Sequence, residues 1–294
     1  MTDLLYPFVE FDFMRRALAG SLIISLSAAP VGVFMVLRRI SLMGDALSHA
    51  VLPGVAIGYL VAGLSVTAMA LGGLLAGCLV ALASGLSSRW STVPEDRNLA
   101  AWYLIALALG VFLISVRGGS VDLMHVLFGA ALGLGDAALV WVGATATATI
   151  WVLLMLFRPL VFDSVDPGSL SNQGSWGWVT HGAFVVLIVL NLVAGLHAMG
   201  TLMAVGLMIL PGTIASYWCQ RLDSLLVMAV ALAGLASVAG LLGSFYADWP
   251  TSPTVILGLG IAYLLSVLLG RRQGLVRALW FRAVQTKQSK ELRK

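Results

Sequence analysis

Nine stretches of this 294-residue chain run for about 17 to 25 residues almost without a charge, and that pattern leaves few folds open. Coiled as a helix rising 1.5 Å per residue, each run is close to the length needed to cross a hydrocarbon layer roughly 30 Å thick. Inside such a layer every backbone group must be bonded internally, which restricts a spanning chain to helices or closed barrels. The stretches lie at 17–37, 44–62, 66–87, 99–116, 133–157, 176–197, 201–218, 222–246 and 253–269. They predict an all-α integral membrane protein, a polytopic bundle of eight or nine transmembrane helices. The count turns on 201–218, which is interrupted at Pro211 and Gly212 and is either a full crossing or a half-length re-entrant piece. Charged residues make up 10% of the chain, against about 25% in a soluble domain, so a soluble fold is excluded.

Cytoplasmic loops of membrane proteins carry an excess of Lys and Arg. Placing the C-terminus inside puts 14 of the 17 basic residues there: Arg38, Arg39, Arg89, Arg97, Arg158, Arg221 and the eight beyond Gly270. Arg15, Arg16 and Arg117 fall outside, and an odd number of crossings makes the N-terminus external. Residues 1–270 form the expected transmembrane domain and 271–294 a basic cytoplasmic tail, suited to an anionic lipid leaflet rather than to nucleic acid. Before Arg15 the chain has Asp3, Glu10 and Asp12 but no basic residue, so it lacks a signal peptide's basic start and is expected to keep its N-terminus. Cys78 and Cys219 stand far apart and offer neither a disulfide framework nor a thiolate cluster. Pairs such as Gly54/Gly58 and Gly73/Gly77 are expected to let helices of one chain pack closely.

The second stretch contains Asp45 and His49 in an otherwise apolar run. Residues four apart share a helix face, so the two side chains project together. An ionisable group at membrane depth costs at least ~2.5 kcal/mol and usually faces a partner or a water-filled path. The pair is therefore either a ligand or relay set, or a cap and its partner. Pro53 cannot donate the hydrogen bond that the His49 carbonyl would accept, and it marks a helix hinge. Two further stretches are candidates. In 118–129, Asp122 and His125 sit three apart, either as surface polar groups or as an external metal relay. The long polar connection 158–175, with Asp163 and Asp166, could carry a short cytoplasmic helix on which another protein docks.

Residues 36–59 (VLRRISLMGDALSHAVLPGVAIGY) strongly resemble the signature of the zinc, manganese and iron uptake permeases of ATP-binding-cassette importers. The resemblance continues through PED at 94–96, VDLMHVLFG at 121–129, RPLVFD at 158–163, GTLMAVGLMILPGTIA at 200–215 and DWPTSPTVIL at 248–257. It implies a fold like that of the vitamin and siderophore permeases and a dimer with a copy or a relative. It also implies a separate cytoplasmic ATPase and an external metal-binding protein, at a bacterial-type plasma membrane. Asp45 and His49 would then line the path of the metal, and 158–174 would couple to the ATPase through Arg158, Asp163, Asp166, Ser169 and Gly174. That last stretch departs from the family: an Asp followed by Ala and Gly is replaced here by Asp163, Ser169 and Gly174, with Pro167 and Gly168 among them.

The residues themselves agree on one point. No Gly-x-x-x-x-Gly-Lys-Ser/Thr loop occurs, so any energy from ATP arrives through a partner. The rival is a proton-coupled secondary metal transporter using Asp45 and His49 as its relay. An intramembrane metalloenzyme is disfavoured, because no His-Glu-x-x-His occurs and no glutamate lies in a predicted span. No permanently bound cofactor is expected. Oxygen and nitrogen ligands without thiolate suit zinc, manganese or iron(II) as cargo, and one carboxylate with one imidazole is half of a site that two subunits would complete across a two-fold axis.

Overall fold

The computed structural model describes residues 6–63, 65–90, 95–116, 133–165, 175–272 and 274. Among them the chain is helical from end to end. After a short α1 (Tyr6–Glu10) come α2 (Asp12–Leu37), α3 (Ser41–Ala50), α4 (Leu52–Ala62), α5 (Val66–Trp90) and α6 (Glu95–Val116). The second half comprises α7 (Asp136–Val165), α8 (Ser175–Met199), α9 (Thr201–Ser216), α10 (Leu222–Ala247) and α11 (Thr251–Leu269). Eight stretches are long and apolar enough to cross a membrane, with α3 and α4 together making one of them over Ser41–Ala62.

Two helices form the centre. About two thirds of the apolar window of α2 and nearly three quarters of that of α8 are buried, whereas α5, α6, α7 and α11 bury about a fifth and turn most of their surface outward. Their outer faces carry large apolar side chains such as Leu75, Leu79, Ile105, Phe112, Leu257 and Ile261, which a hydrocarbon layer leaves without penalty. In that layer helices gain little from hiding apolar surface, so close packing of small residues holds them together. The contact between α2 and α9 is tight enough that a Cβ on Gly32 would lie 1.6 Å from the Met208 carbonyl oxygen. Likewise a Cβ on Gly54 of α4 would meet the Gly72 carbonyl of α5 at 1.9 Å, and one on Gly77 would meet Val189 of α8 at 2.6 Å. The glycine pairs thus serve packing within the chain, as the sequence suggested.

Several polar groups in this centre are satisfied on their own or a neighbouring helix. Ser21 and Ser25 of α2 donate to the carbonyls of Leu18 (2.9 Å) and Ser21 (2.7 Å) on their own helix, the usual way a hydroxyl is accommodated at depth. Asn191 of α8 donates to Thr149 of α7 at 2.9 Å and to its own Leu187 carbonyl at 2.8 Å.

The status of α9 follows from what fastens its ends. Its 16 residues reach about 24 Å, short for a crossing. At its start, the Met199 carbonyl accepts a 2.8 Å bond from Ser252, at the beginning of α11. At its finish, Trp218 donates to Ser266 at 2.9 Å and the Arg272 amide donates to the Tyr217 carbonyl at 3.1 Å, both at the far end of α11. Since α9 connects the two ends of a 19-residue apolar helix, it traverses the bundle, and Pro211 and Gly212 do not stop it. A Cβ on Gly212 would lie 3.2 Å from the Val33 backbone, so this pair lets α9 approach α2. Among the described residues α9 thus joins the eight longer stretches as a ninth traverse.

The structure differs from the sequence reading at α7. That helix does not end at 157 but runs through Pro159 to Val165, burying Leu160 completely. A proline inside a helix removes one backbone bond, and α7 continues past it.

Candidate functional site

The two halves of one broken crossing, α3 and α4, are separated by a single residue, Val51. The break is chemical in origin: Pro53 falls in the first turn of α4, where its missing N–H costs nothing. Neighbouring helices are shaped to it, for a Cβ on Gly110 of α6 would lie 3.0 Å from the Pro53 nitrogen. At the other end of α3, Arg39 adopts a left-handed backbone (φ 61°) that turns the chain sharply out of α2. The helix carrying Asp45 and His49 is thus a ten-residue segment bounded by a turn and a break.

One face of α3 is fixed and the other is open. Met43, Gly44, Ala46, Leu47, Ser48 and Ala50 are buried, with Gly44 packed against Met35, Met208 and Ile209. Leu42 and Asp45 are exposed and His49 is partly so. The Asp45 carboxylate lies 3.9 Å from His49 Nε2, too far for a hydrogen bond. Two donors held at roughly 2.0 to 2.2 Å from one metal ion would stand about 3 to 3.5 Å apart at ordinary coordination angles, so a small side-chain rotation closes the pair on an ion. The His49 ring presents one nitrogen to the pair. Its Nδ1 is enclosed without a hydrogen-bond partner, while Nε2 points toward Asp45, and the Tyr103 ring of α6 lies alongside at 6.4 Å between centroids, tilted by 32°. Tyr103 carries no sequence signal of its own; only the packing of α6 on α3 reveals it.

Among the described residues no group of three or more His, Cys, Asp or Glu side chains comes together. A single chain therefore offers one oxygen and one nitrogen donor at this place. The candidates Asp122 and His125, and Asp166, Ser169 and Gly174 of the proposed coupling stretch, lie outside the described residues.

Arg158 and Asp163 both fall on α7, where they part company. Arg158 is exposed, whereas Asp163 turns inward and pairs with Arg38 at the end of α2, both side chains being almost nine tenths buried. The guanidinium also donates to His181 Nδ1 of α8 at 3.3 Å and lies over the Phe184 ring, 5.0 Å from its centroid. Beside Arg39 at the end of an apolar run, Arg38 reads as a basic residue of a cytoplasmic loop; the fold buries its side chain among three helices.

The ABC 3 transport family matches residues 10–270 of this chain. The manganese transport system membrane protein MntC of Halalkalibacterium halodurans is 31% identical over 274 residues, covering 92% of both chains. The chelated iron transport system membrane protein YfeD of Yersinia pestis is 31% identical over 251 residues, covering 85% of this chain and 83% of that one. In structure the chain is similar to PsaBC from Streptococcus pneumoniae, solved in complex with Fab, with a TM-score of 0.82 and 28% identity over 94% of this chain and 99% of that one.

Proposed function

Because the chain belongs to the ABC 3 transport family, we propose that it is the permease subunit of an importer that carries a divalent transition metal ion into the cytoplasm. The observation that carries the reading is the open, unbonded pair of Asp45 and His49 on a broken crossing helix, 3.9 Å apart. Oxygen and nitrogen donors without thiolate accept manganese, iron(II) or zinc, and relatives named for manganese and for iron favour the first two. Zinc usually takes four ligands and manganese more, so the pair is half a site. A second permease subunit related by a two-fold axis supplies the other half, two oxygens and two nitrogens in all. With no thiolate to hold the ion, release toward the cytoplasm stays easy, and the break at Pro53 lets α3 move as it happens.

The bundle end that holds Arg38 and Asp163 faces the cytoplasm, following the bias of Lys and Arg, and the N-terminus is external. The stretch 158–174 receives a cytoplasmic ATPase, Asp122 and His125 belong to the external side, where a metal-binding protein delivers its ion, and the tail from residue 271 lies along the anionic leaflet. The permease carries no catalytic site and no resident cofactor; its metal is cargo.

Uptake of manganese into proteoliposomes containing the chain, its ATPase and its binding protein tests the reading. ATP inside the cytoplasm-facing compartment should drive uptake with no ion gradient. Uptake that runs on a proton gradient without ATP would replace this reading with a proton-coupled carrier.

A further inference from the structure

We propose that Arg38 is a strut, a positioning residue that makes the ATPase-facing end of α7 and the metal-pair helix α3 move as one body. The inference rests on the importer reading above for its consequence, but its geometry stands by itself. A single guanidinium pairs with Asp163 in the last turn of α7, donates to His181 near the start of α8 and covers Phe184. Both flanks of the α7–α8 connection are thereby fastened to one residue. Arg38 directly follows α2 and is separated from Ser41, the first residue of α3, by only Arg39 and Ile40. Arg39 is in the left-handed conformation, which makes this turn a short, constrained link with little slack. The path from Asp163 to Asp45 therefore runs through one ion pair, a two-residue turn and a single turn of helix.

The chemistry suits a strut better than a stabilising contact. Withdrawing two charges from water offsets most of what their attraction returns, so a buried ion pair adds little net stability compared with apolar residues of similar size. What it does supply is direction: arginine's planar fork fixes its carboxylate in orientation as well as distance, and its face stacks on an aromatic ring at the same time. A pair of that kind transmits displacement between helix ends where a greasy contact would slide. Spatial intermediacy alone does not establish coupling, so the test measures motion as well as transport.

The complex with its ATPase, in nanodiscs and with Cys78 and Cys219 replaced by serine, is spin-labelled at Leu42→Cys on α3 and Phe162→Cys on α7, both exposed positions. With each doubly labelled permease assembled beside an unlabelled second permease subunit, the wild-type strut should give one narrow distance distribution, unchanged by a non-hydrolysable ATP analogue. In Arg38→Met/Asp163→Leu it should broaden or split. The same variant, unlabelled, should melt near wild type while manganese uptake falls at least tenfold and hydrolysis loses its stimulation by metal-loaded binding protein. If the apolar pair does not assemble, the exchange Arg38→Asp/Asp163→Arg decides, and it should restore the narrow distribution together with uptake. A broad or nucleotide-dependent distribution in wild type, an apolar pair that stays narrow and transports within twofold of normal, or an exchange variant that assembles without transporting overturns the strut. Wild type that keeps the narrow distribution yet shows no ATP-driven uptake overturns the importer reading and leaves the strut intact.

Discussion

Replacing Gly32 with alanine should force α2 and α9 apart. The added Cβ would sit 1.6 Å from the Met208 carbonyl oxygen and 2.6 Å from its carbon. Contacts shorter than 3.0 Å are essentially never made by a real Cβ, so the backbones must separate by about 1.5 Å. The obstructing atom belongs to the main chain of a helix and cannot rotate away. Overpacking costs about 1 to 3 kcal/mol where side chains can adjust; with backbone as the obstacle the upper figure applies. Alanine returns about 1 kcal/mol of helix propensity, which leaves a net loss near 2 kcal/mol. Gly258 on α11 supplies the internal control, because a Cβ there meets nothing within 4 Å. It gains the same propensity and pays no steric cost. The two variants therefore differ by about 3 kcal/mol, or roughly 6 °C in melting temperature at about 2 °C per kcal/mol for a chain of this size. Tryptophan fluorescence of the purified protein in nanodiscs, with nine tryptophans to report, measures the difference. Gly32→Ala melting at or above Gly258→Ala would refute the close approach of α2 and α9.

Two other outcomes follow from the same architecture. Single cysteines at Thr2 and Ser289, in a background lacking Cys78 and Cys219, should be labelled by an impermeant thiol reagent from opposite faces of the membrane; labelling of both from one face would show that the number of crossings is even. Replacing 166–174 with Gly and Ser should leave the permease in the membrane but abolish retention of its ATPase in pull-down, and unchanged retention with unchanged uptake would remove this stretch from the coupling role.

Much of this fold is legible in the sequence because apolar length is so strong a constraint. All nine predicted stretches fall on helices, the second on the two halves α3 and α4 and the fifth on a helix that runs on to Val165, and the Asp45 and His49 pair stood out because few ionisable residues interrupt those stretches. What stayed illegible depended on partners distant in sequence. The 201–218 stretch is short and holds Pro211 and Gly212, a pattern shared by re-entrant pieces and crossings alike. Only its ties to both ends of α11, through Ser252, Ser266 and Arg272, identify the crossing. Arg38 next to Arg39 has the composition of a cytoplasmic loop, and the ion pair that buries it is made with a residue 125 positions later. The extension of α7 to Val165 was hidden by Pro159, which breaks a helix more often in water than among packed neighbours. Tyr103 gave no signal because an aromatic in an apolar helix is ordinary; only the packing of α6 brings it beside His49.

Manganese uptake per ATP hydrolysed, compared between the wild-type complex and the complexes bearing Asp45→Asn or His49→Ala, tests most directly whether the α3 pair conducts the metal. Asp45→Asn keeps the shape and removes the charge, and His49→Ala removes the nitrogen donor. Each variant should assemble with its ATPase and still hydrolyse ATP, while uptake drops to the level of empty vesicles. Either variant importing manganese at the wild-type rate would mean that the pair is structural and that the ion crosses elsewhere.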